Sequence, residues 1–76
     1  LKHITLELGG KSPNIVFADA DLDAAVRGAT MGIFYGKGEV CAGGSRLLVE
    51  ASIKDEFLAK VADRAKKMTA GDPLNP

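Results

Sequence analysis

The sequence predicts an α/β fold: a strand-strand-helix-strand-helix excerpt of an open, mostly parallel sheet. Three observations predict it. Short alternating or continuous apolar runs, at residues 4–8, 14–18 and 46–50, have the length of strands. Two longer stretches, from Leu22 and from Phe57, space their apolar residues three and four apart, as the buried stripe of a helix requires. The order of the last four segments makes a β-α-β crossover with a trailing helix, a connection that is normally right-handed and joins parallel strands.

Ile4, Leu6 and Leu8 alternate with Thr5 and Glu7, the period of a half-buried strand, and Gly9-Gly10 ends it. Pro13 opens Asn14-Ile15-Val16-Phe17-Ala18, a run that suits a strand buried on both faces. Asp19, Asp21 and Asp23 follow, supplying a candidate N-cap and negative charge where a helix dipole favours it. The helix is expected from Leu22 to about Tyr35, with Leu22, Ala25/Val26, Ala29 and Ile33 on one face. Gly28 and Gly32 weaken it and are expected to permit close packing with a neighbour. Gly36 to Gly44 is too glycine-rich for regular structure. Arg46 to Glu50 is the third strand. Ser52 is expected to cap a second helix over residues 53–68, with Asp55 as a weak capping box. Lys66 and Lys67 suit its C-terminal dipole, Gly71 stops it, and residues 72–76 are a loop.

Ten Lys+Arg balance ten Asp+Glu, so the formal charge is zero. Nucleic acids and anionic membranes select basic surfaces, so neither is an expected partner. One cysteine cannot close an internal disulfide, and with one histidine it cannot build a zinc cage; no metal is expected. A reducing, cytoplasmic setting follows as the default. No apolar stretch reaches the length that spans a bilayer, and the first residues lack the apolar core of a signal peptide. Three strands needing cover on both faces are a fraction of a sheet, so the chain reads as an excerpt of something longer.

Cys41 is the first candidate for chemistry. It follows Gly36-Lys37-Gly38-Glu39-Val40 and precedes Ala42-Gly43-Gly44, a loop that a substrate can approach closely and whose N–H groups can face a developing oxyanion. The alternative is a buried cysteine acting as a small hydrophobe. Glu7 is the second. A partly desolvated glutamate has a raised pKa and serves as a general base near neutral pH; the alternative is a carboxylate on the wet face of an edge strand. Lys11 in Gly9-Gly10-Lys11-Ser12 is no phosphate loop, since Thr5 stands where the first glycine is needed and Pro13 leads into a strand. His3 has no nearby partner for ligation or catalysis.

At Glu7-Leu8-Gly9-Gly10-Lys11-Ser12-Pro13, and again from Gly38-Glu39-Val40-Cys41 through Ser45-Arg46, the chain resembles the NAD(P)-dependent aldehyde dehydrogenases. The first stretch is similar to that family's Glu-Leu-Gly-Gly-Lys signature and the second to its active-site cysteine signature. Glu7 stands 34 positions before Cys41, which is the family's spacing. The resemblance covers the whole chain and implies the catalytic-domain sheet of that family. Residues 1–9 would end its cofactor-binding domain, and residues 10–76 would begin its catalytic domain.

The resemblance also implies roles. Cys41 would attack an aldehyde to give a thiohemiacetal, which passes hydride to NAD or NADP. Glu7 would activate the water that hydrolyses the resulting thioester to a carboxylic acid. The Cys41 N–H would supply half of the oxyanion hole, and the backbone of Leu8 would touch the cofactor. The partner would be a small-molecule aldehyde, and the parent a homo-oligomer, dimer or tetramer. Gly36 stands where many members have Asn, and Glu39 where many have Gln; a carboxylate turned toward the thiol would disfavour thiolate. The competing reading is a non-catalytic structural or binding protein that keeps the scaffold. Carrying both Cys41 and Glu7 favours the enzyme, because a structural descendant needs neither.

Overall fold

A computed structural model describes residues 1–76 and contains two strands and two helices: β1 (Pro13–Val16), α1 (Leu22–Phe34), β2 (Arg46–Val49) and α2 (Lys54–Lys66). The strands pair in parallel, with Pro13 opposite Arg46 and Val16 opposite Val49. This is the α/β class and the parallel sheet that the apolar spacing predicts.

The aspartate triplet starts α1. Asp21 is its N-cap, the side chain accepting from the Ala24 N–H at 3.0 Å, and Asp23 lies in the first turn near the positive end of the dipole. Both helices lie against one face of the sheet. Val16, Val26, Ala29 and Phe57 form the core, with Leu22, Leu47, Val49, Ile53 and Val61 packed around it. Thr30 is also fully buried at this seam. Its hydroxyl donates to the carbonyls of Val26 and Arg27 and accepts from the Arg64 Nε–H at 3.0 Å, joining α1 to α2.

After α1 the chain turns through left-handed backbone, with φ of 58° at Gly36, 63° at Lys37 and 75° at Gly38. Gly38 is required there. A β-carbon on it would stand 2.9 Å from the Ile33 carbonyl oxygen, in a conformation that side chains resist.

Several expectations are corrected. Residues 4–8 form no strand, and Ile4, Leu6 and Leu8 are 79%, 68% and 71% exposed. Alternation gives a segment one apolar face, but a strand exists only through a hydrogen-bonded neighbour, and the sheet holds β1 and β2 alone. β1 is covered on one face, because both helices lie on the side of Val16; Ile15 and Leu48 remain exposed on the other. Gly28 has open space where its β-carbon would be, so it makes no close helix contact, whereas the Gly32 carbonyl accepts the Gly44 N–H at 3.0 Å.

Ser52 is not a cap. A tight turn over Ala51–Ile53 precedes α2, whose N-cap is Ile53, without a side-chain bond. The end of α2 comes at Lys66, where the Lys67 N–H turns back to the Arg64 and Ala65 carbonyls, short of Gly71. No helix is long and apolar enough to cross a membrane.

Candidate active site

Cys41 sits at the crest of a reverse turn that the Gly43 N–H closes onto the Val40 carbonyl at 2.9 Å. The loop can fold this tightly because its glycines admit close backbone approach. A β-carbon on Gly43 would stand 3.1 Å from the Val40 carbonyl oxygen, and one on Gly44 would stand 3.1 Å from the β-carbon of Asn14. The bond from Gly44 to Gly32 fastens the same loop to α1, so the turn is held from both the helix and the sheet. Cys41 is exposed and free in this chain. Neither its N–H nor that of Ala42 donates to a backbone carbonyl, leaving both donors open beside the sulfur.

Glu7 lies on the exposed segment that precedes β1 and takes part in none of the ion pairs. No hydrogen bond joins it to Cys41. What the fold does bring together is Gly10, three residues farther on, and Cys41: a β-carbon on Gly10 would stand 3.1 Å from the Cys41 carbonyl oxygen. The two stretches singled out in the sequence therefore meet through backbone. Leu8 is exposed, and Gly9 has open space where its β-carbon would be.

Two residues near the site were not singled out as functional by sequence reasoning. Arg46, the first residue of β2, donates its N–H to the Ser12 carbonyl at 3.2 Å and its Nε–H to the Lys11 carbonyl at 2.7 Å. Asn14 packs against Gly44. Both contacts depend on the register of β1 with β2, which no local spacing signals. Glu39 is turned to Lys37, their charged atoms 3.2 Å apart on an open surface. Its charge is thus partly matched by a cation rather than left facing the thiol alone.

An apolar hollow of about 410 Å³ flanks the turn, with Val40 and Ala42 on one wall and Met31 and Tyr35 from the end of α1 on the other. No group of three or more His, Cys, Asp or Glu side chains is arranged to hold a metal ion.

The model of the aldehyde dehydrogenase family matches residues 1–76. The chain belongs to the aldehyde dehydrogenase family. It is 60% identical over 76 residues to aldehyde dehydrogenase 1A1 of Gallus gallus. It is 56% identical over 75 residues to betaine aldehyde dehydrogenase of Rhizobium johnstonii. The chain is matched over 100% and 99% of its length but spans only 15% of each of these relatives.

Among solved structures, HpcC from Thermus thermophilus superposes with a TM-score of 0.87 at 51% identity, over 92% of this chain and 14% of that one. Betaine aldehyde dehydrogenase from Staphylococcus aureus, solved in complex with NAD+, gives 0.83 at 52% identity, over 87% of this chain and 13% of that one.

Proposed function

We propose that the chain is the segment of an NAD(P)-dependent aldehyde dehydrogenase that carries both the nucleophile, Cys41, and the general base, Glu7. The observation that carries this reading is the turn itself. Cys41 stands exposed on it, beside two open N–H donors and against Gly10 of the segment that bears Glu7.

In this reading the Cys41 thiolate attacks the carbonyl carbon of an aldehyde. A C–S bond forms, the carbonyl π electrons move to oxygen, and the Cys41 N–H donates to that oxygen. NAD or NADP, when bound, supplies the acceptor for the hydride that leaves the same carbon, which becomes a thioester. Glu7 then takes a proton from water; the hydroxyl adds to the thioester carbon, the C–S bond breaks, and a carboxylic acid leaves Cys41 free. In this reading the exposed stretch Leu8-Gly9, with nothing within 4 Å of a β-carbon on Gly9, would be where the chain meets the nicotinamide.

The surface supports a segment that completes itself on further structure. A compact monomer of 7.9 kDa exposes about 4,400 Å², whereas this chain exposes 6400 Å². Its radius of gyration is 15.7 Å, against about 11 Å for a compact domain of this length. Residues 1–9 as the end of a cofactor-binding domain, and residues 10–76 as the start of a catalytic domain, belong to the same proposal. The change at Pro13 from an unpaired segment to a packed sheet supports it. Assembly of the parent as a homo-oligomer belongs to the same proposal. A reducing, cytoplasmic setting suits the single free thiol.

The test is Cys41→Ala in the full-length protein. Loss of NADH or NADPH formation from aldehydes, with cofactor binding retained, is expected. Undiminished turnover by the folded variant would overturn the reading. A wild-type protein that binds cofactor but oxidises no aldehyde would point to the non-catalytic scaffold.

A further inference from the structure

We infer that Arg46 is a positioning residue, the clasp that holds the Glu7-bearing segment in place over the Cys41 turn. The inference rests on the catalytic reading above. Arg46 makes two bonds to consecutive carbonyls: its backbone N–H to Ser12 at 3.2 Å and its guanidinium Nε–H to Lys11 at 2.7 Å. These are the hydrogen bonds that tie residues 1–12 to the rest of the chain. One bond alone would leave a pivot. Two on adjacent peptide planes fix direction as well as distance, and the guanidinium bond is charge-assisted and therefore the stronger kind.

The need for a clasp is written into the neighbouring residues. Gly9-Gly10 is the most freely rotating dipeptide a chain can have, and it stands between Glu7 and the anchored peptide of Lys11. Without the side-chain bond, the Lys11 peptide can rotate, and Gly10 loses its seat against the Cys41 carbonyl. Arg46 also opens β2 five positions after Cys41, so the residue that ends the cysteine loop holds the glutamate segment. A movement at Arg46 therefore displaces Glu7 relative to Cys41, while Cys41 itself stays fixed by the turn and by the bond from Gly44 to Gly32.

In this account Arg46 acts through Glu7, so thioester hydrolysis suffers and thiol attack is spared. The test uses the full-length enzyme with Arg46→Met, which keeps the side-chain stem and removes the donor, and Arg46→Lys, which restores a donor. Arg46→Met is expected to keep a rapid burst of NAD(P)H near one per active site and to slow steady-state turnover roughly 10- to 100-fold, the scale of a misplaced catalytic group. Arg46→Lys recovers part of that loss.

Combined with Glu7→Gln, Arg46→Met should add little further slowing, because both act on one step. A purely structural role would instead lower burst and steady state together and multiply with Glu7→Gln. That result, or unchanged turnover in a folded Arg46→Met protein, overturns the inference. If Arg46→Met does not fold, Arg46→Lys decides by the same ratio of burst to steady-state rate. The catalytic reading fails separately, if Cys41→Ala remains active.

Discussion

The carbonyl oxygen of Cys41 occupies the space that a side chain on Gly10 would take, 3.1 Å from where the β-carbon would sit. That contact is closer than side chains normally tolerate. Gly10→Ala in the full-length protein is therefore expected to push the segment and the turn apart by a few tenths of an ångström. Aldehyde turnover should fall severalfold or more, because catalysis is sensitive to sub-ångström placement, while the melting temperature changes little at this exposed position. Gly9→Ala, with open space around it, should leave the melting temperature unchanged. Parallel melts and steady-state rates of the two variants check both statements.

Thr30 is the polar hinge of the helix pair. Thr30→Val keeps the shape but removes the oxygen that receives the Arg64 Nε–H. Arg64 is itself exposed and can turn its donor to water, so the loss is that of one hydrogen bond, about 0.5–1.5 kcal/mol. Denaturant unfolding should show a lower midpoint, and Thr30→Ser should recover most of it.

Lys60 of α2 reaches Asp23 of α1 at 3.0 Å. The hydrogen bond from Lys60 to Asp23, and then the attraction of the two charges, hold the ammonium above its ordinary value. A raised lysine favours the folded state wherever it is protonated. The contribution is therefore complete at neutral pH and is lost as pH climbs past 10.5 and through the folded-state value. Lys60→Met should melt slightly below the wild type at pH 7, with the difference closing at alkaline pH. It should also close in about 1 M salt, where charges on an open surface are screened. An unchanged difference across that pH range would show that the pair contributes through packing alone.

The 76 residues alone are expected to be inactive and only marginally folded. Six of them are buried, and both strands of the sheet have an open edge. A thermal melt of the isolated chain should lack a sharp monomeric transition. Calorimetric titration should find NAD affinity no tighter than about millimolar, since no phosphate-binding helix terminus is present. A cooperative melt with micromolar affinity would mark the chain as a domain in its own right.

Much of this fold was legible where the signal is local. The aspartates before Leu22 specify the start of α1, because an N-cap needs only its own side chain and a backbone N–H three residues on. The apolar run from Arg46 specifies β2 for a similar reason. Ile4, Leu6 and Leu8 misled because their alternation describes what a partner could bury and does not supply the partner. Ser52 misled because it lies inside the tight turn Ala51–Ile53, which delays α2 to Lys54. At the site, the glycines around Cys41 and the apolar neighbours of Glu7 marked them only as candidates, each with a plain structural alternative, and their roles came from the family resemblance. The clasp at Arg46 and the seat at Gly10 were not marked, since each joins residues more than thirty apart through the strand register.

The central claim is that Cys41 and Glu7 act in sequence on one carbon, and Glu7→Gln in the full-length protein tests it most directly. Mixed with aldehyde and NAD and stopped within the first turnovers, the variant should carry an acyl group on the peptide containing Cys41, seen by mass spectrometry. It should also release NADH in a burst near one per active site, followed by turnover slowed about 10²- to 10⁴-fold, the usual cost of removing a general base. Wild-type turnover with no acyl group on Cys41 would contradict the account and leave Glu7 an ordinary surface carboxylate.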